Sequence, residues 1–107
     1  MRKTDVYKKW MKKLKDHIGK AHINRRIYRL EHGNPGKMEP IGDGCSEMKI
    51  DYGPGYRVYY KVLTGSQDAG GEIIIILCAG DKSSQQEDID KAKQLAKETE
   101  EEDYENE

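Results

Sequence analysis

Residues 47–63 read EMKIDYGPGYRVYYKVL, and the fold turns on them. Met48, Ile50 and Tyr52 alternate with Glu47, Lys49 and Asp51. Successive side chains of a strand point to opposite faces, so this period of two marks a half-buried strand. Gly53-Pro54-Gly55 supplies the turn that follows. From Tyr56 to Leu63 the alternation resumes, with Val58, Tyr60 and Val62 on one side and Arg57, Tyr59 and Lys61 on the other. The segment predicts a β-hairpin with one apolar face. Its second face is expected to carry Lys49, Arg57, Tyr59 and Lys61 into solvent.

Working outward, residues 65–71 read as a polar turn, and Glu72 to Ala79 (EIIIILCA) as a central strand buried on both sides. On the N-terminal side, residues 33–45 are rich in Gly and Pro and read as a loop. Residues 5–18 predict a helix, because Val6, Trp10, Leu14 and Ile18 recur every four residues with Met11 beside them. Trp10 therefore reads as a core residue. Thr4 is a suitable cap. Gly19 breaks the pattern, and a second helix is expected from Ala21 to Glu31, with Ile23, Ile27 and Leu30 on one face. Arg25, Arg26 and Arg29 suit either a grip on RNA or a solvated helix face. Gly33-Asn34-Pro35-Gly36 ends this helix. Two helices joined so tightly predict a hairpin. A last helix is expected from Ser83 or Ser84, where capping boxes with Gln86 or Glu87 fit, with Ile89, Ala92 and Ala96 as a narrow apolar stripe. The order α-α-β-β-β-α predicts an α+β fold: an N-terminal helical hairpin packed on a small, mainly antiparallel sheet, then a C-terminal helix.

The chain has 107 residues, 35% hydrophobic and 36% charged, which suits one domain with a modest core over residues 1–97. Residues 98–107 hold seven of the 20 acidic residues, so residues 1–97 carry 19 bases against 13 acids. That balance can attract a polyanion, whereas the acidic tail is expected to be disordered. No apolar stretch suits a membrane span and the first 20 residues are too charged for a signal peptide, so a cytoplasmic protein without a membrane partner is expected. Cys45 and Cys78 fit no metal spacing, and His17, His22 and His32 read as surface residues, so neither metal nor cofactor is expected. Gly80-Asp81-Lys82-Ser83 lacks the Gly-rich half of a phosphate loop. What remains is a set of bases beside tyrosines. They are equipped to hold a phosphodiester and stabilise charge as it is cut, but charge placement alone favours a solvated strand face.

A family resemblance bears on this choice. Trp10, Leu14, Lys15-Asp16, Arg26-Ile27, Arg29-Leu30, Gly33-Asn34 and Gly36 form its N-terminal part. Ser46-Glu47, Ile50-Asp51, the run Tyr52 to Tyr59, and Gly80-Asp81-Lys82-Ser83 with Gln85, Asp88-Ile89 and Ala92 follow. Together they resemble the HigB-like addiction-module killer proteins of the RelE/ParE superfamily, over about residues 6–97. The resemblance implies a type II toxin held inactive by a cognate antitoxin, often a helix-turn-helix protein. It implies metal-independent cleavage of mRNA on the ribosome. The alternatives within the superfamily are a non-enzymatic toxin acting on DNA gyrase and an inactive antitoxin-binding partner. Carried over by position, Arg57 is the phosphate-binding arginine, Lys82 the base after the last strand, and Lys49 stands where the family usually has Arg. Those three form the expected catalytic set, with Tyr59, Lys61 and Gln85 as expected RNA contacts. Tyr59 suits stacking on a base or covering the sheet. The family also has a short strand before the first helix, for which Met1-Arg2-Lys3 leave at most a vestige.

Overall fold

The computed structural model describes the backbone of residues 1–64 and 72–105, and the side chains of 1–63 and 72–99. The predicted turn at 65–71 lies outside the described residues. The fold is α+β, a five-stranded mixed sheet with three α-helices. The chain opens on a strand, β1 (Arg2–Lys3), so the sheet begins before the helices rather than after them. Next come α1 (Asp5–Lys13) and α2 (His17–Glu31). They are followed by β2 (Met38–Gly42), β3 (Cys45–Lys49), β4 (Arg57–Thr64) and β5 (Glu72–Gly80). A 3-10 turn at Lys82–Ser84 leads into α3 (Gln85–Glu105). The strand order is β1-β5-β4-β3-β2, parallel only between β1 and β5.

The vestige ahead of the first helix is thus a strand of two residues, aligned with Ile75 and Ile76. Thr4 ends it and caps α1. Its Oγ1 accepts from Tyr7 N–H at 3.1 Å and donates to Leu77 O at 2.5 Å, tying the helix start to β5.

The helix expected over 5–18 divides at Leu14–Asp16. Asp16 caps α2 by accepting from Gly19 N–H at 2.9 Å, so the chain turns before Gly19 rather than at it. Ile18 consequently leaves the apolar stripe and is 61% exposed. Gly19 sits inside α2, where a Cβ would lie 2.7 Å from the Tyr56 ring. Its missing side chain lets the helix close on the hairpin turn. The segment read as a loop contains β2, which pairs Met38 with Met48 and Glu39 with Glu47. Pro40 sits on this edge strand, where a missing N–H is tolerated.

Both faces of the sheet are covered. Met48, Ile50, Val58, Tyr60 and Ile76 pack with Tyr7, Ile23, Ile27 and Leu30 of the N-terminal helices, and Trp10 packs half-buried at the margin. On the opposite face Cys45, Tyr59, Ile75, Leu77 and Cys78 pack with Ala92 and Ala96 of α3. This corrects the expectation of a solvated second face. Tyr59 is 0% and Lys61 3% exposed, because the Ile89–Ala92–Ala96 stripe of α3 must itself be buried, and this face is where it goes. A continuous aliphatic run in β5 already required cover on both sides. The backbone of α3 is helical to Glu105.

Candidate functional site

Strand register assembles the site. Lys49 of β3 lies directly opposite Arg57 of β4, which lies opposite Gly80 at the end of β5. Residues paired across adjacent strands share a face, so one row across three strands carries Lys49, Arg57 and Gly80. Two residues beyond Gly80, Lys82 begins the turn into α3, and its N–H donates to Pro54 O at 3.4 Å. This bond draws the β5 exit against the Gly53–Gly55 turn. Gly55 has φ +78°, and a Cβ there would lie 3.4 Å from Arg57 Nη1 and 3.5 Å from Lys82 Cβ. A residue free to adopt that φ without a side chain therefore sits between the two bases. Glycine at this position in Tyr52-Gly53-Pro54-Gly55-Tyr56 has both a conformational and a steric reason.

The guanidinium of Arg57 is positioned from two sides. Nη1 donates to Gly55 O at 2.8 Å, and Nε stands 3.7 Å from Glu47 Oε2. Nε is buried without a hydrogen-bond partner, and Nη2 has no acceptor among the described residues. Glu47, which sequence reasoning placed merely on the polar side of a strand, is 1% exposed and organises the cluster. Its Oε2 accepts from Tyr59 Oη at 3.1 Å and from Gln85 Nε2 at 2.9 Å. The sequence carries no local signal for this: only the pairing of Glu47 with Tyr59 and the helix that covers both deny the carboxylate water. Burial first, and Glu47 second, push the Tyr59 phenol above its usual range, so it donates as a neutral hydroxyl.

Of the expected site residues, Arg57, Lys49 and Lys82 gather at one end of the sheet, and Gln85 joins them through Glu47. Lys49 is held by Glu39, with Nζ 3.1 Å from Oε1. Tyr59 and Lys61 are not brought to the surface with them. Tyr59 packs under α3, and Lys61 Nζ donates to Ala96 O at 3.3 Å, fastening that helix. The role proposed for both as RNA contacts is corrected by this burial. Arg26 is also taken up structurally: its guanidinium donates to the carbonyls of Pro35, Lys37 and Lys49, holding the 35–37 segment on β3. Cys45 and Cys78 are both buried free thiols, and burial pushes Cys78 up to about 12. Among the described residues no three His, Cys, Asp or Glu side chains gather as a metal site, and no helix is long and apolar enough to cross a membrane.

A second feature supports the turn. Tyr56 Oη donates to Asp16 Oδ2 at 2.8 Å, linking the hairpin to the start of α2. The Gly19 N–H first, and this phenol second, hold the Asp16 carboxyl below its usual value. Burial first, then the same bond, push Tyr56 up to about 12.

These features define a small α+β protein whose sheet ends in a cluster of bases organised by a buried carboxylate. The chain is 46% identical over 95 residues to an uncharacterized protein of Haemophilus influenzae, covering 89% of this chain and 90% of that one, and it belongs to the same family. No family model matches the chain, and no solved structure matches it.

Proposed function

We propose that the protein is the toxin of a type II toxin–antitoxin pair with RelE/ParE-like architecture, acting as a metal-independent, ribosome-dependent mRNA endoribonuclease. The observation that carries this reading is the Arg57 guanidinium, held by Gly55 and Glu47, with no acceptor on Nη2 among the described residues, and flanked by Lys49 and Lys82. A preorganised cation of this kind is suited to a phosphodiester that gains charge as it reacts. In the proposed step a ribose 2′-OH attacks the adjacent phosphorus and the 5′-oxygen leaves with a proton. The products are a 2′,3′-cyclic phosphate and a 5′-hydroxyl. Arg57 and Lys82 neutralise the developing charge on the phosphoryl oxygens, and Lys49 adds a point charge on the neighbouring strand. The motif Tyr52 to Tyr59 followed by Gly80 to Ser83 supports the same reading. A cognate antitoxin, often a helix-turn-helix protein, would neutralise it.

Primer extension on cellular mRNA after brief expression tests the proposal. The wild type should yield discrete cleavage ends and growth arrest. Arg57→Ala should abolish both, and Arg57→Lys, which keeps charge but loses the fork, should reduce cleavage on the order of a hundredfold. Circular dichroism checks that each variant folds. Arrest without cleaved mRNA would overturn the nuclease reading and favour a non-enzymatic target.

A further inference from the structure

A groove of about 440 Å³ opens between α1 and the start of α3, against the end of β5. Lys9 and Lys13 line it from α1 and Lys91 from α3, with Trp10, Gly80 and Ser84 also in its wall. Lys9 and Lys13 are four residues apart, so they share one face of the helix. Among the described residues none of the three ammonium groups lies within ion-pairing distance of a carboxylate. The carboxylate in the groove, Asp88, accepts from the Ser84 hydroxyl at 2.6 Å and attracts Lys91 without forming a salt bridge with it. Trp10 is half-buried and braced edge-on by Tyr56, with ring centroids 6.0 Å apart. β1 aligns only with Ile75 and Ile76, and Thr4 reaches Leu77 O, so β1 does not extend along Cys78–Gly80.

The groove is next to the Arg57 cluster, since Gly80 belongs to both: it lines the groove and is the cross-strand partner of Arg57. A braced indole beside three lysines that form no salt bridge among the described residues suits a ligand with a flat ring and repeated negative charge. We propose that this groove is a subsite for single-stranded RNA, taking a nucleotide that flanks the phosphodiester at Arg57. Its base lies against Trp10 and its phosphates against Lys9, Lys13 and Lys91. The inference rests on the nuclease reading for its register, but the binding itself is measurable without cleavage.

The test uses the full-length protein and a fluorescein-labelled, 2′-O-methyl hexanucleotide, which lacks the attacking hydroxyl. Fluorescence anisotropy is followed across a salt series. The triple variant Lys9→Gln, Lys13→Gln, Lys91→Gln should bind at least about tenfold more weakly at about 50 mM salt, and its log–log salt slope should be smaller by about 2. Trp10→Leu should weaken binding by roughly 5- to 100-fold with an unchanged salt slope, because stacking releases no counterions. Should Trp10→Leu fail to fold, the exposed lysines carry the test. A triple variant that binds like the wild type, or a wild type that does not bind the oligonucleotide, would overturn the subsite. Primer extension on the same proteins separates the two readings. Cleavage with no effect of the lysines sinks the groove alone, whereas groove-dependent binding without cleavage sinks the nuclease reading alone.

Discussion

A carboxylate with 1% of its surface exposed needs partners, and Glu47 has Tyr59, Gln85 and Arg57. Removing it leaves the Tyr59 hydroxyl and the Gln85 amide without their acceptor and the Arg57 guanidinium without its counter-charge. Glu47→Ala should therefore lose about 3 kcal/mol of stability, the lower end for breaking a buried pair. Glu47→Gln, which keeps an acceptor, should lose less, and urea unfolding distinguishes them. At Asp16 the expected effect is a pH dependence. Its folded-state pKa is lowered by Gly19 N–H and by the Tyr56 hydroxyl, so the ionised form stabilises the fold. That contribution is fully present above the unfolded value near 3.8 and is lost as pH falls through the lower folded value. Asp16→Asn should flatten the acid limb of the stability curve below about pH 4, as read from urea midpoints at successive pH values. Arg57 and Lys82 stood out in sequence because the turn between the strands and the residues after β5 are distinctive. Glu47 did not, because a strand glutamate is ordinarily solvated, and only its neighbours across the sheet and above it reveal otherwise.

At the scale of elements, α3 decides how much of the sheet is available. Its contact face is made of Ala92 and Ala96, 0% and 2% exposed, so the helix backbone lies close to β3, β4 and β5. Ala96→Leu should overpack this contact and destabilise the protein by about 1–3 kcal/mol, a fall in Tm of roughly 4–8 °C for each kcal/mol. The junction between β5 and α3 is tighter still. A Cβ on Gly80 would fall 1.9 Å from Asp88 Oδ2 and 2.9 Å from Ser84 Oγ. Gly80→Ala should accordingly destabilise by about 1–3 kcal/mol, and Asp88→Ala in the same chain should recover part of that loss. Additive losses in a double-mutant cycle would contradict the clash. Helix α3 itself was legible as a stripe of Ile89, Ala92 and Ala96, but its destination was not. A stripe states that a face is buried and leaves its partner unnamed. The division of the first helix was missed for a local reason: the four-residue recurrence runs on through Ile18, while the capping side chain of Asp16 restarts the helix at His17.

Over the whole molecule, charge is divided between a basic body and an acidic end, with seven acids in residues 98–107. Repulsion from that end should weaken oligonucleotide binding at low salt. Replacing the seven acids by Gln should tighten binding several-fold at low salt, with the difference closing near about 0.5 M, where screening extends only a few ångströms. Equal affinities at low salt would show that the acidic end has no bearing on RNA. The sequence by itself determined the α+β class, the strand identities of β3 to β5, and the apolar face of the hairpin except at Val62, which is 41% exposed. These follow from periodicity and turn residues, which act over a few neighbouring positions. Tertiary structure alone decided that α3 covers the second face and that Tyr59 and Lys61 are buried with it. It also decided that a glutamate organises Arg57 and that a two-residue strand joins the sheet. Each of these depends on partners far apart in the chain, such as Lys61 with Ala96 and Arg2 with Ile75. Pairings at such separation leave no local pattern, because their free energy comes from surfaces that meet only once the chain has closed.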